Sequence, residues 1–418
     1  MELFAPSVIL GRLPQDFMKR RKHHLRRKTQ VLPCELAKCS AFSDLSVGPA
    51  FVSHEDGCFA PSANCESSLP ANRISCRQLP GNGAYVGFVD IARRFCMEPK
   101  VSVVIPNYNG IEFNRTCLDA MRRQTRPADK IIVVDNGSTD GSLEEIRKDF
   151  PEAELICFPE NTGFTGAVNA GIKASEGFDF VILLNNDTEA DIHLVEELLR
   201  AIQVNKNIFS CQAKMLKMDD PWKMDDAGDF YCSFGWAFAR GKGKSAELYT
   251  KPAALFSCCA GASIYRLSVM EEIGMFDENH FAYLEDTDIG WRARIHGYRN
   301  IFAPRAKVLH VGSATTGSQY NDFKVKNTSR NSIYLVYKNM PAWQILLNLP
   351  LLVFGFTVKA IYFIKKGFGK EYITGIGRGF ALCSRNRDRR VPYDKKNLRN
   401  YMRIQMELWI GCIRRLID

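Results

Sequence analysis

The sequence has 418 residues, 46% of them hydrophobic and 24% charged, which excludes a disordered or fibrous chain and allows a sizeable core. Its formal net charge of +10 suits phosphate-bearing ligands or an anionic membrane surface, and is too small to indicate nucleic acid by itself. The 14 cysteines form no paired C-x-x-C pattern, so free thiols in a reducing compartment are expected rather than zinc ligands or disulfides.

Residues 1–98 differ from the rest. Met1–Leu13 lacks the basic start and long apolar run of a secretory signal. Lys19–Lys28 reads KRRKHHLRRK, a solvated tail or, alternatively, a nucleic-acid or membrane patch. Ala41–Gly83 is rich in Ser, Pro, Gly, Asn and Cys and has little periodicity, which suggests a poorly ordered extension.

The pattern changes at Lys100. Val101–Ile105 reads as a buried strand closed by Pro106. Glu112–Gln124 is helix-compatible, Ile131–Val134 is a second strand and Ser142–Phe150 a second helix. Glu154–Phe158 is a strand, Phe164–Ser175 a small-residue helix, Phe178–Leu184 a fourth strand and His193–Asn205 an amphipathic helix. This alternation predicts an α/β fold with a mostly parallel central sheet and helices on both faces. Asn207–Ser257 is mixed and Gly-rich. Arg266–Ile273 and Glu285–His296 read as helices, Arg299–Ala303 and Lys307–Val311 as short strands, and the chain after Asn321 as largely helical. Ile345–Ile364 is mainly apolar but is interrupted by Asn348, Pro350 and Lys359. It reads first as an interfacial membrane-contacting segment, with a single span and a buried core helix as alternatives. Basic residues from Lys365 to Arg390 follow it, and Tyr401–Ile417 can form an amphipathic helix.

Polar motifs sit just past the strands, where open α/β sheets place their ligands. Ile105-Pro106-Asn107-Tyr108-Asn109-Gly110 follows the first strand, and its tyrosine can face a flat base. Asp135 opens DNGSTDGS after the second strand; its carboxylate can accept from a base imide, or it can simply form a turn before the next helix. NTGFTGAVNAG carries Gly163 and Asn169 and starts a helix whose N–H groups can meet phosphate; tight helix–sheet packing explains the same small residues. Asn185-Asn186-Asp187 ends the fourth strand and offers oxygen to Mg²⁺ or Mn²⁺, or a turn. Glu285, Asp286 and Asp288 open a helix, and one of them can serve as a general base. His310 ends a short strand and is a candidate partner for Mn²⁺. No Walker lysine motif or Gly-x-Gly-x-x-Gly loop follows a strand.

Taken together and in order, VSVVIPNYNG, VVDNGSTDGS, PENTGFTGAVNAGI, LLNNDTE and YLEDTDIGWRARIHGY resemble the inverting glycosyltransferase family 2, of the GT-A fold, and look closest to its rhamnosyltransferase-like members. The resemblance covers about Lys100 to Tyr320. It implies a catalytic domain over 99–320, with an accessory extension over 1–98 and a helical region over 321–418 that can associate with a membrane. By the resemblance, Pro106, Tyr108 and Asp135 hold base and ribose, and Asn161, Gly163 and Asn169 line the diphosphate side. Asn186 joins the nucleotide-sugar contacts, and Asp226 and Gly228 fall where the donor sugar is expected. Asp187 matches the last position of the family's DxD metal motif, whose first acid is here Asn185. A second protein ligand is therefore needed for Mn²⁺ or Mg²⁺, and His310 matches the position that supplies it. Asp286 corresponds to the general base, with Glu285 assisting or binding acceptor.

The implied partners are a nucleotide-sugar donor (dTDP- or UDP-sugar) and a glycan or lipid-linked glycan acceptor. The implied setting is cytoplasmic, in peripheral contact with the inner leaflet of the cytoplasmic membrane, in cell-envelope polysaccharide assembly, with no nucleic acid. The Gln-x-x-Arg-Trp motif of processive synthases is absent. A nucleotidyltransferase and a non-catalytic nucleotide-sugar-binding scaffold are the competing readings.

Overall fold

The computed structural model describes residues 98–312 and 320–417. The basic run Lys19–Lys28, the stretch Ala41–Gly83 and the cysteines of the first hundred residues lie outside the described part. All the described residues belong to one compact unit, Gly81–Asp418.

The first half alternates as the apolar runs predict: β1 (Val101–Asn107), α1 (Ile111–Arg122), β2 (Lys130–Asn136), α2 (Ser142–Asp149), β3 (Glu154–Phe158), α3 (Gly163–Lys173) and β4 (Phe180–Leu184). There follow β5 (Thr188–Ala190), α4 (Leu194–Gln203), β6 (Ile208–Lys217), β7 (Met224–Asp226), the hairpin β8 (Asp229–Cys232) and β9 (Trp236–Ala239), β10 (Ala253–Leu255), β11 (Ala262–Arg266), α5 (Leu267–Ile273), α6 (Glu285–Ile295) and β12 (Arg299–His310). The chain ends in α7 (Asp322–Asn339), α8 (Ala342–Lys365), α9 (Gly369–Arg385) and α10 (Leu398–Ile417).

The main sheet has the order β10-β12-β6-β11-β4-β1-β2-β3. The strands β3, β2, β1 and β4 form a parallel ladder, and β6 runs parallel to β12. Between these two parts β11 is antiparallel to both β4 and β6, so the sheet is mixed. The reason is local. Leu184, where β4 ends, pairs with Ala262, where β11 begins, because residues 185–261 leave and re-enter the sheet at the same edge. Side chains alternate across the strands. Val103, Ile105 and Val133 pack with Leu118 of α1 and Leu198 of α4, whereas Val104, Ile132 and Val134 pack with Val168 of α3 and Ile289 of α6.

Two expectations change. The segments expected as Arg299–Ala303 and Lys307–Val311 form one strand, β12, which ends at His310 and is interrupted by an irregularity between Ala303 and Lys307. The mixed segment after Asn207 contains β6, which lies in the middle of the sheet. Its polar residues hide it from a hydrophobicity pattern, but each has a buried partner. Gln212 accepts from the Cys259 N–H, Lys214 donates to the Ala246 carbonyl, and Ser210 donates to Asn300.

Helix α7 is fastened to α6 by a buried charge network. Asp288 accepts from Arg292 at 3.0 Å, Lys338 at 2.9 Å and Asn339 at 2.8 Å. Lys338 also reaches Asp277 at 2.7 Å, which in turn accepts from the Tyr334 hydroxyl. One turn further back, Asn331 donates to the carbonyls of His280, Ala282 and Tyr283. These bonds hold a turn in which Phe281, Tyr283 and Leu284 all have positive φ (61°, 75° and 67°). Non-glycine residues there cost of the order of 1–3 kcal/mol each, so the turn needs outside support.

The segment Ile345–Ile364 is one continuous helix lying on this body. Gln344, Asn348, Leu352 and Gly355 are buried, whereas Leu346, Val353, Phe354 and Ile361 are exposed. Asn348 exchanges 2.8 Å hydrogen bonds with Gln405 of α10. A buried core helix is thereby excluded. Close contact of α9 with α7 requires Gly375 and Gly379, where a Cβ would approach the carbonyl oxygens of Lys326 and Arg330 to 2.5 and 2.7 Å.

Replacing Asp288 with Ala leaves the Arg292 charge without its buried carboxylate and deprives Lys338 of one of its two. A loss of about 3–5 kcal/mol in unfolding free energy is expected by urea titration. A loss below about 1 kcal/mol, the range of an exposed pair, would refute the network's role.

Candidate functional site

The ends of β1, β2 and β4 are tied by side-chain amides. Asn107 stands opposite Asp135 in the ladder and donates to it at 2.8 Å, to Ser142 at 3.0 Å and to Ser138 at 3.2 Å. The Asn107 oxygen accepts from Asn186 at 2.9 Å, and Asn186 also donates to Asn114. Gly110 makes room for this, since a Cβ there would sit 2.0 Å from the Asn186 amide. Asp135 and Asn186 are therefore buried and fixed by their neighbours, while Tyr108 is 38% exposed and Pro106 half-buried at the same edge. Tyr108 is the side chain of this set that faces outward.

The helix start at Gly163 is used differently from the expectation. Asn161 accepts from the Gly163 N–H at 2.8 Å and from Asn136 at 3.1 Å. The Thr165 N–H donates to the Phe281 carbonyl at 3.2 Å, and a Cβ on Gly163 would lie 2.5 Å from that carbonyl. Donors expected to face a phosphate thus secure the turn that precedes α6. Asn169 is also corrected. It is 3% exposed, donates to the Phe276 carbonyl and to Glu278, and accepts from the Phe276 N–H, so it holds the 276–278 loop rather than a diphosphate. The small residues of α3 serve close packing, and what they bring close is the acidic helix.

Asp187 and His310 meet because β5 pairs with β12, placing Thr188 opposite His310, and because the Val311 N–H donates to the Asp187 carbonyl. His310 Nε2 lies 3.3 Å from Asp187 Oδ1. On its other side Nδ1 lies 2.7 Å from Asp225 Oδ2, and Lys242 lies 3.2 Å from the second oxygen of Asp225. Burial would lower the pKa of His310, but its hydrogen bonds to Asp187 and Asp225 outweigh it and raise the pKa to about 9. Burial likewise opposes ionisation of Asp225, yet the His310 hydrogen bond and the Lys242 charge hold it at about 2.

Among the described residues no group of three or more His, Cys, Asp and Glu side chains forms a ready-made metal cage. The donor set does fit a cation that takes its other ligands from outside the chain. An oxygen and an imidazole nitrogen 3.3 Å apart can share one ion, and Asp225 orients the ring as outer-shell carboxylates do.

Asp225 is the residue that sequence reasoning missed. Adjacent strand residues point to opposite faces, so only one of Asp225 and Asp226 could reach His310. Asp226 turns the other way, accepting from Gln212 at 3.0 Å and from the Gly228 N–H at 2.6 Å. Gly228 makes that turn with φ 110°, where a Cβ would strike Leu255.

The acidic helix contributes Glu285 and Asp286. Glu285 is buried with one carboxylate oxygen lacking any hydrogen-bond partner. Burial, helped by the Asp286 charge, pushes its pKa up to about 8. Asp286 is half-buried, and burial raises it to about 6 against hydrogen bonds from Thr287, with the charge of Asp226 adding to the rise. Burial also raises Asp226 to about 6, and it raises Asp229 well above the usual range with help from the charges of Asp226, Asp286 and Glu285. Asp288, the third acid of the motif, is committed to the α7 network and is held far below the ordinary range. Perturbed carboxyls thus gather on one side of β7 and the Asp187–His310 pair on the other, with Asp225 and Asp226 between them.

Residues 102–274 match the family model described as Glycosyl transferase family 2. An N-acetylglucosaminyl-diphospho-decaprenol L-rhamnosyltransferase of Mycobacterium tuberculosis is 24% identical over 238 residues, covering 51% of this chain and 76% of that protein. The glycosyltransferase AglE of Haloferax volcanii is 44% identical over 85 residues, 19% of this chain and 28% of that one. The structure of GalNAc-T7 with UDP, GalNAc and Mn²⁺ aligns with a TM-score of 0.46 at 16% identity, over 57% of this chain and 48% of that one. This chain therefore spans about half the length of that structure.

Because Glu285 has a folded pKa near 8 against an ordinary 4.5, its protonated form stabilises the fold at low pH, and that contribution is lost as pH rises through 8. Glu285→Gln is expected to raise the melting temperature by roughly 4 °C or more at pH 8.5 and to leave it nearly unchanged at pH 4.5, read by calorimetry at both pH values. Equal shifts at the two pH values would show that Glu285 is ionised in the fold.

Proposed function

Residues 102–274 belong to glycosyltransferase family 2, within a GT-A-type α/β fold followed by a helical C-terminal region, and from that premise we propose that the protein transfers a hexose from a nucleotide sugar to a glycan or lipid-linked glycan acceptor with inversion. A dTDP- or UDP-sugar is the donor, with dTDP-rhamnose the first candidate in view of the rhamnosyltransferase relative, and cell-envelope polysaccharide assembly is the setting. The observation that carries this reading is the junction in β7. Asp225 bonds to the His310–Asp187 pair, and its neighbour Asp226 acts electrostatically on Asp286.

In the proposed reaction Asp286 accepts a proton from the acceptor hydroxyl. That oxygen attacks the anomeric carbon opposite the departing nucleoside diphosphate, so one displacement inverts the configuration. A pKa near 6 makes Asp286 a stronger base than an ordinary aspartate while leaving it mostly ionised at neutral pH. Glu285, protonated at that pH, can donate a hydrogen bond to the acceptor. Asp187 and His310 would hold Mn²⁺ or Mg²⁺, which supplies positive charge against the diphosphate. Asp225 fixes the ring so that Nε2 faces Asp187. Tyr108 and Pro106, at the outer edge of β1, provide a face for the base.

The C-terminal helices support a peripheral position on the cytoplasmic membrane. Helix α8 is long and apolar enough to cross a bilayer by length and composition, with only 17% of its apolar window buried. Its Gln344 and Asn348 are nevertheless bonded to α10, which favours a helix lying on the surface. Trp409 and Ile413 of α10 extend the exposed apolar area, and Lys365, Lys366 and Arg403 flank it.

Asp286→Asn is expected to lower turnover about 10²–10⁴-fold while keeping donor affinity, and wild-type turnover to fall as pH drops below about 6 as the base becomes protonated. Near-normal turnover in this variant refutes the base. Asp225→Asn should weaken Mn²⁺ binding by about 10–100-fold, and Asp187→Ala by more, both measured by calorimetric titration with nucleoside diphosphate present. Metal affinity unchanged in both excludes the Asp187–His310 site. The intact chain is expected to sediment with phosphatidylglycerol vesicles and less with phosphatidylcholine; no sedimentation with either overturns the membrane reading.

A further inference from the structure

The resemblance points to Asp226 and Gly228 for the donor sugar, but both are engaged: Asp226 accepts from Gln212 and from the Gly228 N–H. The next carboxyl along the chain is Asp229, the first residue of β8. It is half-buried, and its side chain makes no hydrogen bond or ion pair with any of the described residues.

The backbone fixes where that carboxyl points. The Asp229 N–H donates to the Ser257 carbonyl at 3.1 Å, the Asp229 carbonyl accepts from the Phe256 N–H at 3.0 Å, and Asp229 stands opposite Ser257 in an antiparallel bridge. Residues opposite each other in such a pair send their side chains to the same face. That face is turned toward α6, because a Cβ on Gly290 would lie 2.5 Å from the Ser257 Cβ. Gly290 comes one helical turn after Asp286, and residues so spaced share one side of a helix. Asp229 and Asp286 therefore look into the same space, one from β8 and the other from α6. Glu285, 7% exposed, brings to that region a carboxylate oxygen without a partner, and its charge also acts on Asp229.

A second cation does not answer this arrangement, since no three His, Cys, Asp or Glu side chains among the described residues are placed to hold one ion. Carboxyls with unfilled hydrogen-bonding capacity, set apart around one space, fit the hydroxyls spread around a pyranose ring. An in-line displacement fixes which ring. The transferred sugar lies between the leaving diphosphate and the attacking oxygen, and so between the Asp187–His310 pair and Asp286. The chain from Asp225, which is bonded to His310, to Asp229 crosses that interval.

We infer that Asp229 binds the donor sugar through a hydrogen bond to a ring hydroxyl of the transferred hexose, and that it, rather than Asp226, sets which hexose is taken. The inference rests on the transferase reading above.

The donor is identified first, by release of nucleoside diphosphate from dTDP-rhamnose, UDP-glucose, UDP-galactose or UDP-N-acetylglucosamine by the intact protein with Mn²⁺. If none is cleaved, the transferase reading fails and the inference falls with it. For the donor that is cleaved, Asp229→Ala should raise KM about ten-fold or more and Asp229→Asn, of the same shape, about three-fold, with affinity for the nucleoside diphosphate within about two-fold of wild type by calorimetric titration. A deoxy analogue lacking the bound hydroxyl should lose as much in the wild type and nothing further in Asp229→Ala. Urea midpoints should be unchanged or higher in both variants, because the carboxylate has no bond to lose. Cleavage with an unchanged donor KM in both variants overturns the inference and leaves the transferase standing; it is the result expected of a carboxyl that binds the acceptor instead. Equal weakening of donor and nucleoside diphosphate overturns it too, since that marks a distorted nucleotide site.

Discussion

The structure depends most on one buried carboxylate. Asp288 is fully buried and gathers Arg292 from its own helix and Lys338 and Asn339 from α7. A charge in that position is tolerable only with complete hydrogen bonding, so its partners must all be in place together. That requirement fixes where α7 runs. Once α7 is fixed, Asn331 can hold the carbonyls of the Phe281–Leu284 turn, and the turn can keep three non-glycine residues at positive φ. The α3 start closes the same turn from the other side through Thr165. The positions of Glu285 and Asp286 follow from these contacts.

The carboxyls of the site differ in environment rather than in type. Asp225 and Asp226 are neighbours in one strand, yet His310 and Lys242 keep the first strongly acidic, while burial raises the second. The alternation of the strand turns Asp225 toward His310 and Asp226 toward Gln212 and the Gly228 N–H. Asp286 and Asp288 show the same division along a helix. One is half-buried among other acids and the other is matched by bases. Divergent pKa values of this kind assign different chemical work to similar groups.

The C-terminal helices pack into the same unit as the acidic helix. Helix α7 braces the turn before α6 through Asn331, and α8 is bonded to α10 through Asn348 and Gln405. The outer face of α8 is apolar and exposed at Phe354 and Ile361. Lys338 and Asn331, which lie beyond residue 320, belong to the support of Glu285 and Asp286.

The sequence by itself determined the β1 to β4 alternation, the polar strand ends, and the choice of Asp187, His310, Glu285 and Asp286 as candidate groups. These are local properties, visible because apolar runs of strand length end in turn-forming polar residues. Only the tertiary structure decided the rest. The central strand β6 was hidden because Ser210, Gln212 and Lys214 find partners far away in the chain. Asn169 looked like a ligand contact because an amide that binds a distant loop is indistinguishable, in sequence, from one that binds a diphosphate. Which of Asp225 and Asp226 reaches His310, and which acid of the Glu285–Asp288 group is neutralised, depends on the facing element. Side-chain direction and partner charge are set by packing between segments that the sequence separates by tens of residues.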